Sequence, residues 1–427
     1  MNAGNSPLFS LPAVRCLTRR RFVQLAGTAA TGLLMTKPLR GFTADEYRVD
    51  LPPLQEEQTE GEEPKPSPGD PPAERIGFAV VGLGHLALEQ VLPAFNACKH
   101  SRPVALVSGH AEKARRVAAQ HGIPANQIYD YASFDRIRDN PAIQAIYIAL
   151  PNSLHAEYTV RGAQAGKHIL CEKPMAVSVP ECQQMIDACR QAGVKLMIGY
   201  RSQYEPLDRL IVRAVREKKL GTLREFVSAN SIHQGDPKQW RLNKRLAGGG
   251  PLPDVGIYSI NAARFMSGEE PSAVFGHTVQ WADDPRFKEV ETSAQFVLQF
   301  PSGFTATCSC SYASHRSQFL RLNGSEGWAE MDPAFAYKGL HLRMSHLKDG
   351  HPAIVEPGVE SRNQFALELD HFAQCVGSGA DPHTPGEEGL QDMRIIEAIY
   401  DSARIGKTVQ VETPAAAIRG PDLKVES

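Results

Sequence analysis

The chain has 427 residues, 42% of them hydrophobic and 22% charged, with a formal net charge of −2. These proportions are ordinary for a globular protein, and the length allows two domains. The first 44 residues hold six Lys and Arg and no acid, so the remainder is more acidic than the whole and makes a poor nucleic-acid partner.

Arg19 and Arg20, in Thr18-Arg19-Arg20-Arg21-Phe22-Val23-Gln24, precede a short, moderately apolar segment, Phe22–Met35. That is the layout of an export signal of the twin-arginine kind, which carries proteins already folded. The segment is interrupted by Gly27, Thr28, Thr31 and Gly32 and falls short of the roughly 18–20 residues that span a bilayer. Residues 1–44 are therefore expected to be the signal, the mature chain to lack a membrane span, and the destination to be the periplasm. Within 45–74, Leu51–Pro72 is rich in Pro and Glu and cannot build a core; it should be an extended arm or linker.

From Ile76 onward, apolar strands alternate with helices. Strands are expected at Ile76–Val81, Pro103–Val107, Ala145–Leu150, His168–Cys171 and Lys195–Gly199, with helices at Leu86–Cys98, Glu112–His121, Ser153–Ala165 and Pro180–Ala192. This alternation predicts right-handed βαβ units and a parallel sheet covered on both faces, over 75–200. After Tyr200 the texture changes. Runs at Glu225–Ile232, Ala273–Trp281, Ser293–Phe300, Gly303–Tyr312, Gln318–Asn323 and Leu340–Met344 are strand-like and joined by short turns such as Asn323-Gly324. They predict a largely antiparallel sheet over 201–411, with a tail at 412–427. Two late helices, Asn363–Val376 and Gly386–Ile405, should pack on the first domain or bridge the two.

The first strand runs into Gly82-Leu83-Gly84-His85-Leu86-Ala87, a G-x-G-x-x-A fingerprint at the head of a βαβ run. In that setting the first Gly permits a tight turn and the second lets backbone N–H groups approach a pyrophosphate at the helix start. The second strand ends in Val107-Ser108-Gly109-His110, with Lys113, Arg115 and Arg116 following. No carboxylate stands there for a ribose 2′-hydroxyl, and hydroxyl and cationic donors do, which favours NADP over NAD. Lys113 is the direct candidate; Arg115 and Arg116 suit a solvated helix face.

Two later strands end in Pro151-Asn152-Ser153-Leu154-His155 and in Glu172-Lys173-Pro174, so both loops should face the crevice at the strands' carboxyl ends. Asp254 and Tyr258, after Gly248-Gly249-Gly250, stand one helical turn apart. A phenol beside an ammonium can take a hydroxyl proton as hydride leaves the same carbon; read alone, Tyr258 suits a half-buried core position better, and its link to Lys173 rests on the resemblance below. Seven cysteines follow the leader in no disulfide-framework spacing, and Cys308-x-Cys310 reads as two small buried side chains on one sheet face.

The glycine fingerprint, the Pro-Asn-x-x-His loop, Glu-Lys-Pro at a strand end, and Gly-Gly-Gly followed by Asp-x-Gly-x-Tyr together resemble the Gfo/Idh/MocA oxidoreductases, and Tyr258 resembles their glucose–fructose branch. The resemblance implies an N-terminal Rossmann dinucleotide-binding domain followed by a domain with an open, mostly antiparallel β-sheet. It implies Lys173, Asp254 and Tyr258 at the sugar. Around NADP it implies Gly82, Leu83, Gly84, His85, Leu86, Ser108, Lys113, Tyr131, Leu150, Asn152, His155, Glu172, Arg201, Trp240, Arg241 and Tyr337. It further implies a tightly held cofactor, ping-pong oxidation of one aldose and reduction of a second sugar, and a tetramer formed through the sheet and the N-terminal arm. The alternatives are a sugar or inositol dehydrogenase with a dissociable cofactor, and a non-catalytic sugar sensor.

Overall fold

The computed structural model describes residues 75–281, 283–348, 350–414 and 418–421. The expected signal and arm, residues 1–74, lie outside the described residues.

Six parallel strands form the first sheet: β1 (Ile76–Val81), β2 (Ser101–Val107), β3 (Ile128–Tyr129), β4 (Ala145–Ile148), β5 (His168–Glu172) and β6 (Leu196–Gly199). Their spatial order is β3-β2-β1-β4-β5-β6, so the winding reverses between β1 and β4 and opens a crevice at the carboxyl ends there. β1 is buried almost throughout, as a strand covered on both faces must be. One cover is the late helix Gln364–Ser378, whose Phe372 packs on Phe78 with ring centroids 6.2 Å apart.

The first helix departs from expectation. Residues 87–97 form a π-helical turn (Ala87–Val91), a three-residue α-turn (Leu92–Ala94) and a 3-10 turn (Phe95–Ala97). Pro93 is the physical reason: it has no N–H to donate to the carbonyl four residues back, and its ring crowds that carbonyl, so the turn before it widens.

The second sheet has nine strands: β7 (Leu223–Ser231), β8 (Ala273–Val279), β9 (Ser293–Gln299), β10 (Thr305–Ser311), β11 (Ser317–Gly324), β12 (Gly327–Met331), β13 (Leu342–Lys348), β14 (His351–Val355) and β15 (Val409–Gln410). Their order is β14-β13-β12-β11-β7-β10-β9-β8-β15, antiparallel except where β7 lies parallel to β10. Asn323 and Gly324 are paired within β11 rather than forming the turn, which falls at Ser325-Glu326. Cys308 and Cys310 are buried on one face of β10. The helix Gly386–Ile405 packs on β8, on β6 and on the helix Val179–Ala192, and so ties the two sheets together.

Candidate active site

The residues assigned to the sugar and to NADP all line one cleft of about 680 Å³ at the carboxyl edge of the parallel sheet. At its dinucleotide end Gly82 has φ 94, and a Cβ there would lie 2.4 Å from the Ala149 carbonyl oxygen. Only glycine fits that turn. Nothing lies within 4 Å of a Cβ built on Gly84, so the backbone there is open to a close-approaching ligand. His85 pairs instead with Glu89, Nδ1 to Oε1 2.8 Å, on an exposed helix face.

At the end of β2, Ser108 and Lys113 are buried against the cleft, 5% and 3% exposed. Arg115 turns away and pairs with Glu112 in solvent. Tyr131 packs edge-on against Tyr158, and burial pushes its phenol up to about 12. These features fit the adenosine end of a phosphorylated dinucleotide: an open glycine turn, a hydroxyl and an ammonium at the ribose position, and no carboxylate at the strand end.

The loops after β4 and β5 are fastened before they meet a ligand. Asn152 donates through Nδ2 to the Ala247 carbonyl at 2.9 Å. His155 is fully buried, with Nδ1 and Nε2 each 2.9 Å from the Pro174 and Leu150 carbonyls; burial pushes its pKa down. The ring lies between the two loops, with both nitrogens facing backbone carbonyls and one N–H to donate. Glu172 accepts from the Tyr147 hydroxyl and from the Lys173 backbone N–H, and burial raises its pKa.

Lys173 stands at the centre. Its Nζ donates to the Asp254 carbonyl at 2.8 Å, lies 3.4 Å from Asp254 Oδ1, and sits 4.5 Å from the Tyr258 ring centroid. Burial disfavours the ammonium, but Tyr258, Asp254 and Glu172 outweigh it, and the pKa is raised. Asp254 is held by three donors: Lys173, Arg241 Nε at 3.0 Å and the Tyr312 hydroxyl at 2.7 Å. Burial opposes its charge, yet Arg241 and Lys173 prevail and hold the carboxyl well below the usual carboxylate range. Asp254 is thus a fixed anion, and the Tyr258 ring lies beside the ammonium.

Arg241 lies against Trp240, guanidinium to ring centroid 4.6 Å, at the mouth of the cleft. Arg201 lies between the rings of Tyr258 and Tyr337, at 4.8 and 4.5 Å. Tyr312 was not foreseen, although it continues the buried alternation of Cys308 and Cys310 along β10 and could have been found by it. Gln364, which accepts from Arg201, and the Asn230–Gln318 pair on β7 and β11 were also missed; amides carry no motif.

Residues 76–200 match the Gfo/Idh/MocA model described as an oxidoreductase family with an NAD-binding Rossmann fold, and residues 209–330 match the family's C-terminal domain. The D-xylose 1-dehydrogenase [NADP(+)] of Haloarcula marismortui is 32% identical over 352 residues, 79% of this chain and 93% of that protein. The chain belongs to the Gfo/Idh/MocA oxidoreductase family. A second D-xylose 1-dehydrogenase (NADP(+)), from Haloferax volcanii, is 32% identical over 78% of this chain and 99% of that protein. The crystal structure of an aldose-aldose oxidoreductase from Caulobacter crescentus, complexed with glycerol, is 48% identical, covers 79% of this chain and all of its own, and superposes with a TM-score of 0.76. A levoglucosan dehydrogenase solved with NADH and levoglucosan, 22% identical with a TM-score of 0.70, shares the fold.

Proposed function

We propose that the protein is an exported, NADP-containing aldose oxidoreductase that oxidises one sugar to its lactone and reduces a second by ping-pong turnover. The carrying observation is the meeting of Lys173, Asp254 and Tyr258 at the end of β5, in the cleft whose β2 terminus offers Ser108 and Lys113. The names of the three similar proteins above, two NADP-dependent xylose dehydrogenases and an aldose-aldose oxidoreductase, support both the cofactor and the substrate class.

The nicotinamide ring, when bound, supplies the hydride acceptor and, once reduced, the donor. Tyr258 takes the proton of the sugar hydroxyl as the carbon–hydrogen bond breaks, and returns it to the second sugar. Lys173 stays cationic and holds the phenolic oxygen and the sugar oxygen in register, while Asp254 holds Lys173. Export rests on Arg19 and Arg20, and retention of the cofactor follows from it, since no free pool exists outside the cytoplasm. A homo-oligomer, a tetramer in this reading, would cover the second sheet, where Phe275 is 42% exposed and Trp281 53%, with Leu51–Pro72 as an intersubunit arm.

The test uses purified protein with no added cofactor. Glucose should raise the reduced-nicotinamide absorbance stoichiometrically with enzyme, and fructose should then abolish it. A change that appears only after NADP is added would favour a dehydrogenase with a dissociable cofactor, the second reading, which the two xylose dehydrogenases support.

A further inference from the structure

A second, much smaller cavity adjoins Lys173 and Tyr258. Its volume is about 20 Å³, and those two residues share its lining with Ser202, Gln203 and Asp208. A water molecule needs roughly 10–15 Å³ and two to four polar partners, so the space suits a single water. The amide of Gln203 supplies the second observation. The residue is fully buried and does not line the main cleft. Its Nε2 donates to Glu388 Oε1 at 2.8 Å and to Asn261 Oδ1 at 2.9 Å. Glu388 is paired with Arg264 and Arg419 and only accepts, so the amide cannot be turned over. Oε1 of Gln203 therefore faces away from Glu388, and no protein atom meets it. A buried acceptor left unmet is costly, and a bridging water removes that cost.

Lys173 supplies the donor. An ammonium has three N–H to give, and both hydrogen bonds of Nζ go to Asp254, its carbonyl at 2.8 Å and Oδ1 at 3.4 Å. One N–H is left. We infer that the small cavity is a water site, and that the bound water positions Lys173 by accepting this N–H and donating to Gln203 Oε1. The Ser202 hydroxyl and the Asp208 carboxyl, on the same lining, complete the surroundings of the water. The ammonium is then fixed from two elements: directly from the turn Leu252–Gly256 and, through the water, from the turn Arg201–Tyr204. Gln203 is thereby a positioning residue, acting on the reacting group through the water and touching neither sugar nor cofactor. An ammonium that cannot swing keeps its place beside the Tyr258 ring, 4.5 Å away, while sugars come and go.

The inference rests on the chemistry proposed for Lys173 and Tyr258, and its test keeps the two apart. A crystal structure of the NADP-loaded enzyme should show one ordered water within about 3.2 Å of Lys173 Nζ and of Gln203 Oε1. Ala262 lines the same cavity, and Ala262→Val and Ala262→Thr add side chains of equal size. Valine fills the space with methyl groups alone, whereas the threonine hydroxyl can take over the bonds of the water. Ala262→Val should lose the water, keep its NADP, and reduce it with glucose about 10²-fold more slowly at saturating sugar. That is the loss expected when a reacting group is misplaced by about 1 Å. Ala262→Thr should recover most of the rate. No water in the wild-type cavity would overturn the inference, and so would equal losses in the two variants, which would mark a packing effect. A wild-type rate in Ala262→Val with the water gone would overturn it as well. If glucose reduces no cofactor in the wild type, the proposed reaction fails. The site is then still decided by the wild-type density and by whether Lys173 Nζ leaves Asp254 in Ala262→Val. If Ala262→Val does not fold, Ser202→Val against Ser202→Thr carries the same comparison.

Discussion

Among the described residues two arginines, Arg201 and Arg264, are buried, and they are held in opposite ways. Arg264, at the junction of the helices Ile257–Ser267 and Gly386–Ile405, is met by three carboxylates, with Asn261, Gln203 and Arg419 bonded to the same acids. Arg201, in the cleft, meets amide and carbonyl oxygens and aromatic faces. The first is met by direct ion pairs; the second takes its opposite charge without direct pairing, from Glu172, Glu205, Asp208 and Glu368. A guanidinium bonded directly to carboxylates is tied to the fold, while one bonded to amide and carbonyl oxygens between ring faces forms part of the cleft wall.

The comparison predicts different failures. Lys173→Ala, on the cleft side, should cost activity most, at least the 10²–10⁴-fold typical of general acid–base catalysis, since it removes the cation nearest Tyr258 and the donor to Asp254. Single-turnover cofactor reduction measures it, and a loss below tenfold would put the chemistry elsewhere. Arg264→Met should reverse the pattern. Breaking a buried pair costs about 3–5 kcal/mol, so chemical denaturation should show a large drop in stability while the folded fraction keeps its rate. An intermediate effect is expected at the far end of the cleft. Lys113→Ala should weaken NADP retention by about 1.5–3 kcal/mol, and adding Ser108→Asp should turn preference toward NAD, read from cofactor content after dialysis.

The smallest effect concerns pH. Burial pushes Asp392 up to about 6, opposed by Arg264 and reinforced by Glu388. Its folded pKa lies above the unfolded value of about 3.9, so its contribution is present below that value and is lost as pH rises toward 6. The stability difference between wild type and Asp392→Asn should therefore shift against wild type between about pH 4 and 6. A flat difference would mean that Asp392 is ionised throughout.

Much of this was legible in the sequence because strands and fingerprints are local. β1 was read residue for residue, and the glycine turn and the Glu172-Lys173-Pro174 loop followed from position at strand ends. Less legible was anything that depends on a partner distant in the chain. β12, β14 and β15 are short or marginal and exist as pairings along the large sheet. The helix Pro206–Arg216 carried its signal, Glu205 as N-cap and Pro206 at the first turn, and was passed over. Within the site, Lys173 and Tyr258 were named, but Arg201 came only with the family resemblance. No sequence pattern shows that Gln364, on a late helix, and Phe335 would hold it against Tyr258.

The account turns on Tyr258. Single-turnover reduction of the bound cofactor by glucose, followed across pH in wild type and Tyr258→Phe, addresses it directly. The variant should fold and retain NADP but reduce it about 10²–10⁴-fold more slowly, without the wild-type pH dependence. Reduction at the wild-type rate and with the wild-type pH profile would contradict the account.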